Sequence, residues 1–279
     1  MTTSIAASVA IQHLEAIREM LGKPAINSVT ANTLESLSPD DTNKPRLVEW
    51  LREGVRLNDA RFEIRSALRA IARAIQPRSY LEIGTRRGWS LAQVLAEAPN
   101  VNAYSFDWWM EGYGGVENPG PGFVRDEMRR VASVHCGDLH FLSGNSHDTL
   151  PVFFQEVRLG PVELEETELL RIGESAPRMF DLVTVDGDHT ALGTWWDLAD
   201  VLSHVAVGGV LVFDDLVDSA DELLGDRPTS RYEHIRTHPE NLMPSLLWLW
   251  HYLKVQLDGW EFIESFDSIV PIGIAVRMR

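Results

Sequence analysis

Tyr80-Leu-Glu82-Ile-Gly84-Thr85-Arg86-Arg87-Gly88-Trp89-Ser90 is the stretch from which the rest of the chain is read. An apolar run over 79–83 enters a turn bounded by two glycines, and a helical pattern over 90–98 follows. Strand, glycine turn and helix in that order open an α/β unit. Gly84 and Gly88 let the backbone approach a ligand, and the helix N-terminus offers unpaired N–H groups. The dinucleotide fingerprint G-x-G-x-x-G is absent, because Arg86 stands two residues after Gly84. Taken alone, E-x-G-x-x-x-G describes a tight strand–helix turn as well as it describes a ligand site, so its weight comes from its surroundings.

Downstream, strands and helices alternate. Strands are predicted over 79–83, 102–106, 140–142, 182–185 and 210–213, and helices over 90–98, 123–134, 148–157 and 191–204. That rhythm specifies a doubly wound, mostly parallel sheet covered on both faces. A helix over 242–257 precedes two further strands, 261–266 and 269–276. Only Asp267 and Ser268 separate them, a link that permits antiparallel pairing and forbids a parallel crossover. Upstream, helical patterns cover 4–21, 46–56 and 59–76, and the polar stretch 27–44 reads as a loop. The chain therefore divides into a helical appendage, 1–77, for lid, substrate or subunit contacts, and an α/β domain, 78–279. Two segments break the rhythm: 108–122, rich in glycine, proline and aromatics, and 158–178, read as an acidic surface insertion.

Composition narrows the partners. The 279 residues carry a formal net charge of −16 and a pI near 4.9, which lacks the cationic footprint that nucleic acid or an anionic membrane surface requires. No apolar run is long enough to span a bilayer, and the N-terminus reads as an amphipathic helix rather than a signal peptide. The single cysteine, Cys136, excludes an intrachain disulfide and reads as a small core residue. A cytoplasmic protein with a small-molecule substrate is expected.

Carboxylates mark the strand ends. Asp107 closes the second strand, where an acid can accept hydrogen bonds from both ribose hydroxyls of a nucleoside. The third strand runs into Ser143-Gly144-Asn145-Ser146, a polar turn suited to an adenine edge. Phe180-Asp-Leu-Val-Thr-Val-Asp186-Gly-Asp188-His189 and Gly208-Gly-Val-Leu-Val-Phe-Asp214-Asp215 are the strongest pair of segments. Three clustered carboxylates, Asp186, Asp214 and Asp215, repel one another unless a cation or raised pKa values relieve them; a hard divalent ion is the favoured solution over helix-capping roles. His189 has the ordinary pKa of a neutral-pH base, with Asp188 as its rival. Trp108, Trp109 and Tyr113 follow the second strand and either cover a cofactor or an acceptor ring or anchor their loop on the core. Arg231, Tyr232 and His234 either line an acceptor pocket or belong to a solvated loop. Trp248, Trp250 and Tyr252 read as core or subunit contacts.

From 79 to 278 the chain resembles the class I S-adenosylmethionine (SAM)-dependent methyltransferases, and among them the macrocin and mycinamicin type of sugar O-methyltransferase, whose two carboxylate segments look like 180–189 and 208–215. The resemblance implies a seven-stranded sheet of order 3-2-1-4-5-7-6 with an antiparallel seventh strand. It implies SAM on Glu82, Gly84, Asp107 and the turn of Gly144, Asn145 and Ser146; Thr85, Gly88, Ser90, Trp108 and Asp186 complete the expected cofactor set. It further implies Mg²⁺ on Asp186, Asp214 and Asp215, and a catalytic base at either Asp188 or His189. The helical prelude and 158–178 match nothing in that pattern. The expected activity is methyl transfer to a hydroxyl of a small molecule such as a sugar or natural product, by a homo-oligomer. The alternatives are a metal-independent N- or C-methyltransferase and a non-catalytic SAM- or nucleoside-binding subunit; a nicotinamide-dependent oxidoreductase is disfavoured by the missing fingerprint.

Overall fold

The computed structural model describes residues 2–38, 43–110, 118–155, 164–217 and 245–279. Seven strands, β1 (Ser79–Ile83), β2 (Asn102–Asp107), β3 (Leu139–Ser143), β4 (Phe180–Val185), β5 (Val205–Phe213), β6 (Trp260–Ser265) and β7 (Ile272–Arg277), form one sheet in the order β3-β2-β1-β4-β5-β7-β6. The first five are mutually parallel and β7 runs antiparallel to both of its neighbours, as expected. Register matters for the site. Ile83 is level with Phe106 and Val185, and Val185 is level with Phe213. The residues that follow these positions, Gly84, Asp107, Asp186 and Asp214, therefore share one edge, the crevice where open α/β sheets bind ligands.

Alternation along each strand divides the core. Tyr80, Leu182, Val210, Val212, Ile274 and Val276 face one layer; Leu81, Ile83, Val183, Val185, Leu211 and Phe213 face the other. The first layer holds α1 (Thr2–Leu21), α2 (Ala25–Ser36), α3 (Asn43–Leu57), α4 (Ile64–Ile75), α5 (Trp89–Glu97) and α6 (Pro121–Val131). The second holds α7 (Ser146–Phe153), α8 (Leu164–Ser175), α9 (Ala191–Val201) and α10 (Leu246–Gln256). The prelude helices thus share a hydrophobic core with the sheet. Fully buried Ala10 of α1 lies over Gly208 of β5, where a Cβ would stand 3.5 Å from its backbone, and His13 Nδ1 bonds the Gly208 carbonyl at 2.8 Å.

Several local expectations need correction. The stretch 27–44 is not a loop: α2 occupies Ala25–Ser36, with Ile26, Thr30, Ala31 and Leu34 buried. Its inward face mixes apolar residues with a threonine and an asparagine, which hides the period from a reading based on hydrophobicity. Asn27 pays its desolvation by donating to the Arg61 carbonyl at 2.8 Å. α4 starts at Ile64 rather than 59, because Glu63 and Ser66 form a reciprocal capping box at its N-terminus. Within 158–178, Leu164–Ser175 is helical, and Gly173 closes on α7 so tightly that a Cβ would lie 2.2 Å from the Phe153 carbonyl oxygen. β7 begins at Ile272, so the β6–β7 link spans 266–271 and Ile269 belongs to a loop. Cys136 is exposed rather than part of the core. Trp250 is fully buried across Gly273, whereas Trp248 and Tyr252 stack on each other at the surface. Tyr113, Arg231, Tyr232, His234 and the expected helix start at 242 lie outside the described residues. No helix among the described residues is long and apolar enough to cross a membrane.

Candidate active site

The strand ends border one cavity of about 330 Å³. At its floor β1 turns at Gly84, whose φ is 91°, and a Cβ there would lie 1.8 Å from the carbonyl oxygen of Asp186. Glycine is required both by the dihedral and by the contact between the β1 and β4 turns. Gly88 caps α5 with a φ of 74° and closes on Val124, which a Cβ would meet at 2.7 Å. Glu82 is fully buried beside Thr85 and Ser90. Its Oε1 accepts from the hydroxyls of Tyr80, at 2.9 Å, and Ser90. Burial raises its pKa to about 7, against the hydrogen bonds that favour the carboxylate.

Asp107 is held by the neighbouring turn. Its Oδ2 accepts from the Arg86 N–H at 2.6 Å, and its Oδ1 accepts from the Trp109 N–H at 2.6 Å and Asn118 Nδ2 at 3.0 Å. Trp109 packs near Phe141, while Trp108 is 54% exposed at the cavity mouth. Asn145 caps α7 by accepting from the His147 N–H at 3.1 Å, and Gly144, Asn145 and Ser146 all border the cavity.

The opposite side is acidic. His189 Nδ1 lies 2.5 Å from Asp215 Oδ2, and Asp186, His189 and Asp215 each place a potential ligand atom within 4.8 Å of the others. Asp215 has a φ of 58°, a left-handed conformation that non-glycine residues seldom adopt and that concentrates at functional sites. Asp214 is buried with an unpartnered Oδ1 and is not a member of that group of three. Burial, followed by the charge of Asp215, raises Asp186 to about 7. Burial and the charges of Asp186 and Asp215 push Asp214 well above the usual carboxylate range. Burial opposes the charge on His189, yet the adjoining Asp215 carboxylate lifts it to about 9. Asp188 is oriented elsewhere: its Oδ1 accepts from the Thr190 N–H at 2.8 Å, and a Cβ on Gly193 would lie 2.0 Å from its Oδ2. Its carboxylate therefore sits on the first turn of α9.

A family model described as a methyltransferase domain matches residues 81–216, from the middle of β1 to just beyond Asp215. The strand order and the cavity at the strand ends agree with it. The fold is that of the class I SAM-dependent methyltransferases. Solved structures similar to the chain include the O-methyltransferase TomG from Streptomyces achromogenes, involved in tomaymycin synthesis, in complex with SAM (19% identity, 75% of this chain and 77% of that one, TM-score 0.45). Others are an O-methyltransferase from Bacillus cereus in complex with S-adenosylhomocysteine (SAH) (13%, 94% and 90%, 0.46) and the SAH-bound methyltransferase PaMTH1 from Podospora anserina (14%, 82% and 85%, 0.49). At these identities and scores the likeness carries no assignment of substrate. No curated protein matches the chain.

Sequence reasoning missed several residues in and around the cavity. Arg46 of α3 and Arg65 of α4 border it from the prelude, and Ile269 and Val270 border it from the β6–β7 loop. Arg65 Nη1 donates to Glu63 Oε2 at 2.9 Å, and its guanidinium lies 5.8 Å from the Trp89 ring centre. Burial works against its charge, but Glu63, Asp214 and Asp186 hold it protonated. Asp197 of α9 is fully buried 3.5 Å from His147 Nε2, and burial raises it to about 8. Arg65 is one of three arginines in Ile64–Ile75, with Arg69 and Arg73, so the sequence alone does not single it out.

Proposed function

We propose that this methyltransferase transfers a methyl group from SAM to a hydroxyl oxygen of a small molecule, such as a sugar or natural product, with help from a divalent cation. The observation that carries the reading is a single cavity joining the Gly84, Asp107 and Asn145 turns to the cluster of Asp186, His189 and Asp215. The residues suit the cofactor. The Gly84 turn leaves no room for a side chain, Asp107 is a fixed acceptor for ribose hydroxyls, and the turn of Gly144, Asn145 and Ser146 offers polar groups to a base edge. Glu82, Thr85, Gly88 and Ser90 shape the turn from beneath, and Trp108 covers the mouth.

SAM supplies an electrophilic methyl group, so the protein's task is to align an oxygen with it and to remove that oxygen's proton. Asp186 and Asp215 are the shared members of both possible cation sites. His189 is the third donor by distance and Asp214 the third by charge. When bound there, Mg²⁺ or a similar ion would lower the pKa of an acceptor hydroxyl. An imidazole donor also admits softer divalent ions than an all-carboxylate set would. Asp188, committed to α9, is the weaker candidate for base. A second reading is favoured by the His189–Asp215 contact: a metal-free dyad in which Asp215 orients the ring through Nδ1 and Nε2 takes the proton, most readily as pH approaches about 9. Turnover of an identified hydroxyl acceptor by exhaustively chelated enzyme separates the two. Activity lost on chelation and restored by Mg²⁺ supports the cation; full activity without it sinks the cation and leaves the dyad. Transfer found only to nitrogen or carbon acceptors would overturn the O-methyltransferase reading itself.

In the same proposal the enzyme is cytoplasmic, homo-oligomeric and independent of nucleic acid. Sedimentation of the purified chain checks the assembly.

A further inference from the structure

Arg65 has no part in the reaction just described, although it reaches the cavity from a helix outside the strand-end motifs. Resting on the reading of this cavity as a SAM site, we infer that Arg65 recognises the carboxylate at the amino-acid end of the cofactor. SAM has two chemically distinct ends, an adenosine and an α-amino acid carrying one carboxylate and one ammonium. Asp107 and the Asn145 turn, on β2 and β3, suit the adenosine. The amino-acid end is left with the part of the cavity beside β1, α5 and β4. An acid suited to an ammonium, Asp186, borders the cavity there. A carboxylate in the same place needs a cation.

Arg65 meets that need by its construction. Glu63, itself 2% exposed, pins Nη1 at 2.9 Å, and the Trp89 ring lies 5.8 Å away. Its Nε is buried and makes no hydrogen bond within the protein. A guanidinium presents five donors in a rigid fork, and bracing one side leaves the others oriented for a two-oxygen acceptor. Glu63 in turn is fixed by its capping box with Ser66, so the position of the cation is set by the start of α4. The prelude would then be part of cofactor recognition.

The test is calorimetric binding of three ligands to the full-length chain: SAM, decarboxylated SAM, and 5′-methylthioadenosine, which lacks the amino-acid end. Wild-type protein is expected to prefer SAM to its decarboxylated form by roughly 10- to 100-fold, the range for a charge-assisted hydrogen bond. Arg65→Met should abolish that preference and leave methylthioadenosine affinity unchanged, and Arg65→Lys should restore part of it. If Arg65→Met does not fold, Glu63→Gln with Arg65→Met removes the orphaned buried charge while keeping an oxygen for the cap, and the same ratio is read there. An unchanged preference in the variant overturns the inference: Arg65 then serves only as a counter-charge to the acids. Wild-type protein that binds neither SAM nor methylthioadenosine overturns the SAM reading together with it.

Discussion

The two sides of the cavity solve the problem of an acid at a strand end in opposite ways. Asp107, on the β2 side, has its oxygens met by two backbone N–H groups and an asparagine amide. Asp186, Asp214 and Asp215, on the β4–β5 side, crowd together with raised affinities for protons or are met by an imidazole. Backbone geometry completes the first side in advance. The second is short of positive charge, which a proton, Arg65 or a bound cation must provide. The sides touch where Gly84 meets the Asp186 carbonyl, so an exact backbone contact links a settled half to an unsettled one.

The largest effect is expected at that link. Gly84→Ala forces a Cβ into the Asp186 carbonyl at a positive φ and should cost roughly 2–5 kcal/mol in urea denaturation, with loss of SAH binding. A wild-type midpoint would mean the two sides are not mechanically joined. Next, Asp107→Ala should weaken SAH by about 1.5–3 kcal/mol in calorimetry while His189 still titrates near 9 by NMR. Asp215→Asn should do the reverse, returning the His189 midpoint toward an ordinary value of about 6.5 and weakening divalent-ion binding, with SAH affinity changed little. Parallel loss of both properties in either variant would erase the distinction between the sides.

The smallest effect concerns pH. Glu82 and Asp186, raised to about 7 from 4.5 and 3.8, bind protons more tightly folded than unfolded, so their contribution is present at low pH and is lost as pH rises through about 7. His189, raised to about 9 from 6.5, has the same sign: its contribution is complete below 6.5 and lost as pH climbs through about 9. The melting temperature should therefore drift downward between pH 5 and 9, and Mg²⁺ should flatten the drift by taking the place of the Asp186 proton. Scanning calorimetry at constant ionic strength checks it; a rising melting temperature would mean these groups are ionised and well paired in the fold.

Legibility in the sequence followed the same division. β1 was readable to the residue, because buried parallel strands are continuous apolar runs with hard glycine stops, whereas the strand order, which the sheet bears out, came from the family resemblance. Asp107 and the Asn145 turn were readable as strand-end residues. Asp186 and Asp215 were readable as strand-end neighbours, but the group that forms takes His189 in place of Asp214, and nothing in Asp186-Gly-Asp188-His189 says that Asp188 turns onto α9 while His189 turns to Asp215. That choice belongs to side-chain torsions and to the close approach of Gly193. Arg65 and α2 were missed for another reason. A polar residue on an inward helix face subtracts from the periodic signal, and its tertiary partner, such as Trp89 for Arg65 or Arg61 for Asn27, is not encoded nearby.

The docking of α1 bears on how the chain acquires its fold. His13 and Gly208 are 195 positions apart, and the helix that lies over β5 precedes it in the chain by four strands of the same sheet. Its packing on α4 can form early, but its seat on β5 must wait until Gly208 has emerged from the ribosome. A contact of such long sequence range closes late and favours slow folding. The side of α1 that faces β5 would then settle only after the sheet it covers has formed. Truncation before β5 should leave the β5-facing side of α1 uncovered as a handle for chaperones and proteases, detectable by pulsed proteolysis of stalled nascent chains.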